Sequence, residues 1–189
     1  EKEHLLEKLN MLIGLFYTEL GTKLLSDIVK GDLKGVMSNS RKITDDTWCD
    51  KSFKKLHDDI LEYDYNLDIN KIDLKSVRNK LDDNKDLLIN LISNGNLLEH
   101  ETFTEMLMLI MHLKEELDTR YSEDMESYEL KHIEGDMKAA YKYLTIEWAE
   151  YMKHLSKNYP SLYCKALINN PFDKRDKREK DRCFLKSAK

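Results

Sequence analysis

The sequence predicts an all-α fold, a bundle of about five to six helices with one extended loop over residues 63–73. Three observations predict it. Apolar residues recur three and four apart along most of the chain, the spacing of an amphipathic helix. Chain breakers are scarce, with 6 Gly and 2 Pro in 189 residues, which favours long rods over short strands joined by tight turns. The one stretch with strand-like alternation, residues 63–74, has no second strand to pair with.

The first helix is expected from Lys2 to Lys30, with Leu5, Leu9, Leu12, Phe16, Leu20 and Leu24 at helical spacing and Gly31-Asp32 as its end. Lys34 to Ser40 is expected to hold one short helical turn. Thr44-Asp45-Asp46 is a start signal for a helix over Trp48–Tyr63, with Phe53, Leu56 and Ile60 inward. The loop that follows packs Leu67, Ile69 and Ile72. Asp73 then caps a helix to about Ile92, with Leu74, Val77, Leu81, Leu88 and Leu91 on one stripe, and Asn94-Gly95-Asn96 turns the chain. Leu97–Leu117 is the most apolar helix. A polar link, Asp118–Ser127, leads to the longest helix, Tyr128–Lys157, which Pro160 terminates. A short helix over Ser161–Ile168 precedes an NNPF turn. Residues 1–173 form one helical domain. Residues 174–189 hold eight basic and three acidic residues and form a basic, disordered tail.

Composition closes off several function classes. At 41% hydrophobic and 35% charged, the chain is too apolar for disorder, and no apolar run reaches the roughly 18 residues of a membrane span. The cysteines, Cys49, Cys164 and Cys183, are odd in number and widely spaced. That fits reduced thiols in a cytosol and excludes zinc fingers. Cys164, in LYCKAL, fits a small core residue better than a nucleophile. There is no GxSxG and no glycine-rich phosphate loop. Residues 64–75 resemble a calcium loop at Asp64, Asn66, Asp68 and Asn70. They carry Ile69 where glycine is needed and Lys75 where a bidentate carboxylate is needed. The tail offers cationic charge to a nucleic acid or an anionic membrane. The remaining 173 residues carry a net −10, however, which argues against nucleic-acid binding as the chain's task.

The candidate ligands lie on helix flanks. On the Leu97–Leu117 helix, apolar residues cover most of the circumference and leave a stripe of Glu101, Glu105, His112 and Glu116, with Glu115 at its edge. A helix apolar nearly all round is central in its bundle, so this stripe is a candidate to point inward. On the longest helix, Asp136, Tyr143, Glu147 and His154 flank the core face of Met137, Leu144, Trp148 and Leu155. Glu19 sits at the margin of the first helix's apolar face. Carboxylates and imidazoles from facing helices are how di-iron and di-manganese bundles hold metal. Glu19, Glu105, His112, Glu147 and His154 are therefore the candidate ligands for Fe, Mn or Zn. The match is partial: one ExxH (Glu129 to His132) is present without the second that such sites use, although Glu150 and His154 share a face. A solvated stripe is the competing reading. Trp48, Trp148 and the tyrosines are expected in packing seams.

LNMLIGLFYTELGT (9–22), LLEHETFTEMLMLIMHLKEEL (97–117) and AYKYLTIEWAEYMKHLSKNYPSLY followed by NPFD (140–173) together resemble an uncharacterised family of small prokaryotic membrane-anchored proteins. The resemblance spans most of residues 5–173. It implies an all-helical cytoplasmic domain held at the cell membrane by a segment preceding Glu1, and it carries no catalytic residue. The first residue, Glu1, and the lack of an N-cap before Leu12 suit a helix that begins further upstream.

Two expectations follow. The first is a non-enzymatic domain on the cytoplasmic side of the membrane, without cofactor, acting through protein contact or self-association. The alternative is a metal-binding bundle with oxidase or hydrolase chemistry.

Overall fold

The computed structural model describes residues 2–36, 49–97, 100–176 and 178–180. Among these the fold is all-helical: α1 (Lys2–Phe16), α2 (Thr22–Ile28), α3 (Asp50–Glu62), α4 (Leu74–Asp83), α5 (Lys85–Ile92), α6 (Glu101–Arg120), α7 (Ser127–Asn158) and α8 (Pro160–Ile168). The only sheet-type pairing among the described residues is a single bridge between Asp32 and Leu67. The predicted Thr44-Asp45-Asp46 start signal, Trp48, Cys183 and the side chain of Leu5 lie outside the described residues, as does most of the Lys34–Ser40 turn.

α7 is the axis. It packs against α6 most extensively, and against α1, α2, α3 and α8. Its core face carries Met137, Ala140, Tyr141, Leu144, Trp148, Met152 and Leu155, all buried, as an α-helical period requires. α4 and α5 cover the other side of α6. The capping box of α7 closes reciprocally between Glu126 and Glu129, and Pro160 at the first position of α8 separates that helix from α7.

The helix count is higher than the sequence spacing predicts, for two local reasons. Asn84 adopts φ −110° and ψ 17°, so the 73–92 stretch becomes α4 and α5. The bend leaves all of Leu74, Val77, Leu81, Leu88 and Leu91 buried against the bundle. Between α1 and α2 runs a π-helical turn, Tyr17–Gly21. Phe16, Leu20, Leu24 and Ile28 recur in steps of four, and each such step drifts by about 40° around an α-helix. The wide turn takes up the drift, and all four are buried. Gly21 is required there: a Cβ at this position would lie 2.6 Å from the Phe16 ring and 2.7 Å from the Tyr17 ring.

The 63–73 loop packs Leu67, Ile69 and Ile72 as expected, with a 3₁₀ turn over Ile69–Lys71 capped by Asp68. It is anchored by Asp68 N–H donating to Gly31 C=O at 2.8 Å. Beside it lies a buried carboxylate. Asp32 accepts from the backbone N–H groups of Gly35 and Val36, both at 2.8 Å, and from the hydroxyls of Tyr63 and Tyr141. Burial and the facing Asp32 push the Tyr63 and Tyr141 hydroxyls well above the ordinary phenol range. A second buried carboxylate, Asp27, accepts from Lys30, Ser76 and Lys80 and ties α2 to α4. Lys114, buried on α6, donates to Asp82 and Asp118.

Candidate functional site

A broad concavity runs between α1 with its π turn on one side and α8 with the following segment on the other, above α7. Its volume is about 1440 Å³. The far wall is built by the NPFD turn: Asn170 Oδ1 accepts from Phe172 N–H at 2.9 Å, and Phe172 packs edge-on against Trp148 at 5.0 Å. The start of the basic tail joins this wall. Arg175 pairs with buried Asp173, and Lys180, also buried, donates to Asn170 C=O at 3.3 Å. α8 thus leads through the NPFD turn into a ledge that reaches Lys180, and residues 181–189 lie outside the described residues.

The rim is apolar. Met11 is 71% exposed, Leu162 52%, Tyr159 46% and Leu15 45%. Those are four of the nine exposed large hydrophobic residues among the described ones, and all four line this one groove.

A smaller cavity of about 290 Å³ adjoins it, lined in part by Ile13, His100, Glu147, Tyr151 and His154. Glu147 is the buried acid of the molecule's centre, 2% exposed. Burial raises its carboxyl to about 7, the neighbouring Glu150 adds to the rise, and a hydrogen bond with Thr102 opposes it. Burial pushes the His154 imidazole below its ordinary value. Tyr17, which lines the larger groove, stacks on Tyr151 at 5.1 Å and donates to Leu144 C=O at 2.8 Å.

The five ligands predicted from sequence do not form one centre. Glu147 and His154 line the same cavity. Glu19, in the π turn, and Glu105 are exposed. His112 lies at the other end of α7, beside Asp136. Asp136 and His154 are separated by roughly 27 Å along the helix axis at 1.5 Å per residue. The polar stripe of α6 also faces outward: Glu101, Glu105, His112 and Glu115 are exposed and Glu116 is half-buried. α6 is flanked by α7 on one side and by α4 and α5 on the other, and the stripe occupies the side left to water.

What His112 does meet is His132, Asp136 and Glu116, drawn together where α6 and α7 pair. His132 is the histidine of the ExxH pair. It is half-exposed at the helix surface and not interior. Cys164 is half-buried and unbridged, and Cys49 is exposed. Of the residues resembling a calcium loop, Asp68 is engaged with the Asn70 N–H and side chain. No described helix is long and apolar enough to cross a membrane.

Comparison with known proteins agrees with the all-helical architecture. Residues 5–168 match the family model described as "Uncharacterized protein MJ1433, C-terminal helical domain". The "Uncharacterized protein MJ1433" of Methanocaldococcus jannaschii is 43% identical over 176 residues, covering 92% of this chain and 70% of that protein. No solved structure matches significantly.

Proposed function

The chain belongs to the MJ1433 C-terminal helical domain family, and on that premise we propose that it is a non-enzymatic module that pairs with a second copy of itself through the groove between α1 and α8. The observation that carries this reading is the concentration of Met11, Leu15, Tyr159 and Leu162 on one rim. A water-exposed apolar cluster of this kind is what an interface covers.

A second copy suits the groove because both halves of a fit are present on one face. α1 offers Met11 and Leu15 as a ridge, and the recess lies beside it. Twofold pairing sets each ridge in the partner's recess. Charge points the same way. The groove lining carries four cationic side chains, Lys165 among them, and three acidic ones, Asp173 among them. With nearly equal numbers of the two signs, the groove is close to neutral in a chain of net charge −5, so two copies meeting here bring little like charge together.

The same reading places the module on the cytoplasmic face of the cell membrane, attached by sequence preceding the domain. The position of this domain at the C-terminal end of MJ1433 supports that order. Light scattering coupled to size exclusion, across a concentration series, tests the pairing. A species of twice the 22.4 kDa chain mass is expected. A monomer at every concentration overturns it.

A further inference from the structure

α6 and α7 run antiparallel, joined by residues 121–126, and each presents a histidine and a carboxylate one turn apart: His112 and Glu116 on α6, His132 and Asp136 on α7. The four meet across the seam. His112 Nε2 lies 3.5 Å from Asp136 Oδ1, His132 Nε2 lies 3.6 Å from Asp136 Oδ2, and His132 Nε2 lies 3.2 Å from Glu116 Oε2. One donor atom each from His112, His132 and Asp136 falls within 4.8 Å of the others.

These separations have a geometric meaning. With bonds of about 2.0–2.1 Å, tetrahedral donors around a zinc ion stand about 3.3 Å apart, and octahedral neighbours about 2.9 Å apart. The three imidazole–carboxylate spacings of 3.2 to 3.6 Å lie near the tetrahedral edge, and with all three donors within 4.8 Å small side-chain rotations bring the set onto one ion. One of these donor oxygens is also left unsatisfied. Asp136 Oδ2 is shielded from water and receives no hydrogen bond. Buried acceptors are nearly always satisfied, and its neighbour His132 Nε2, at 3.6 Å, stands beyond hydrogen-bond length, so this oxygen has a lone pair to offer a cation. Both imidazoles are about half exposed, at 50% and 48% of the side chain, which leaves an entry path.

We propose that His112, His132 and Asp136, with Glu116 as fourth donor, form a binding site for a zinc-class divalent cation that clips α6 to α7. Two imidazoles and two carboxylates are borderline donors whose combined charge balances a divalent ion. Arg120 already holds the Glu116 carboxylate by a hydrogen bond, the kind of outer contact that orients a metal-ligating carboxylate. The clip stands about 17 Å along α7 from Glu147, so its test is separate from that of the groove.

The experiment uses tag-free chain stripped with a chelator, titrated with zinc chloride by calorimetry and followed by thermal melting. One equivalent is expected, with a rise in Tm of roughly 5–10 °C at a hundredfold excess over Kd. Cobalt(II) in place of zinc is expected to give the intense visible absorption of a four-coordinate ion. H112Q, H132Q and D136N each abolish stoichiometric uptake while the helical circular dichroism is kept; H57Q on α3 binds as the parent does. Absence of uptake by the parent chain, or unchanged uptake in the H112Q/H132Q pair, overturns the site.

Discussion

His100 Nε2 lies 4.0 Å from Glu147 Oε2, while Nδ1 of the same ring accepts the Phe103 N–H at 3.2 Å. The cap requires a bare Nδ1, so the ring proton sits on Nε2 and is directed at the buried acid. A side chain that starts α6 is thereby held against the middle of α7.

Glu147 makes stability fall as pH rises. Unfolded, its carboxyl titrates near the ordinary 4.5; folded, burial raises it to about 7. Between those values the folded chain binds more protons than the unfolded one, so rising pH favours unfolding until the folded group has ionised. E147Q is expected to be more stable than the parent by about 2–3 kcal/mol at pH 8 and nearly equal to it at pH 4.5. Urea melts at the two pH values check this; an E147Q less stable than the parent at pH 8 would refute it.

Asp27 gives the opposite sign. Burial alone would raise its carboxyl, but hydrogen bonds from Lys80 and Lys30 outweigh burial and hold it below the ordinary 3.8. Its contribution is present above pH 4 and is lost as pH falls through the folded value. D27N should cost about 1–3 kcal/mol at pH 7, and the deficit should shrink in denaturant melts below pH 3.

Tyr141 and Asp32, 109 positions apart, share a buried hydrogen bond of 2.9 Å. Y141F leaves that carboxylate oxygen with one donor fewer and should cost about 1–2 kcal/mol. A double-mutant cycle with Y63F should show coupling of about 0.5–3 kcal/mol, because both hydroxyls serve one carboxylate. Additive effects would show that the two act separately.

Groove pairing depends on the exposed ridge of α1. M11K and L15K introduce charges at a surface position and should leave the melting temperature within about 2 °C of the parent, while shifting light scattering to the monomer. A dimer that persists in the double variant would place the interface elsewhere.

G21A tests the π turn. A methyl group here meets two fully buried rings, and overpacking of this kind costs about 1–3 kcal/mol, against a gain of up to about 1 kcal/mol from alanine's helix propensity. Net destabilisation is expected in thermal melts.

Helical stripes, the Asp73 cap, the stop at Pro160 and the inward Leu67, Ile69 and Ile72 are all legible in the sequence. A helical wheel gives the angle of a residue about its own axis, and that was enough to place Glu147 at the edge of a core. It does not say what stands opposite that angle. Angle alone groups His112 with His154, whereas its neighbours in the fold are Asp136 and His132. Nothing in the local sequence marks Lys114 as buried; its partners Asp82 and Asp118 are supplied by the packing of α4 on α6 and by the next turn of α6. The Asp32 cluster joins residues 31 and 109 positions apart in sequence, a separation that periodicity does not register. Asn84 carried no breaker chemistry in DDNKDLL, and the bend there is imposed by wrapping α4 and α5 around α6.

The wide turn at Tyr17–Gly21 also sets a rule of length. Removing any one residue from it would restore the tighter coil and swing everything downstream by about 100°, turning Leu24, Leu25 and Ile28 off their neighbours and carrying Asp27 away from Lys80. The N-terminal rod is a key cut to a fixed number of notches. Aligned relatives should exchange its exposed positions, such as Thr18 and Glu19, and show no one-residue gap across those five positions.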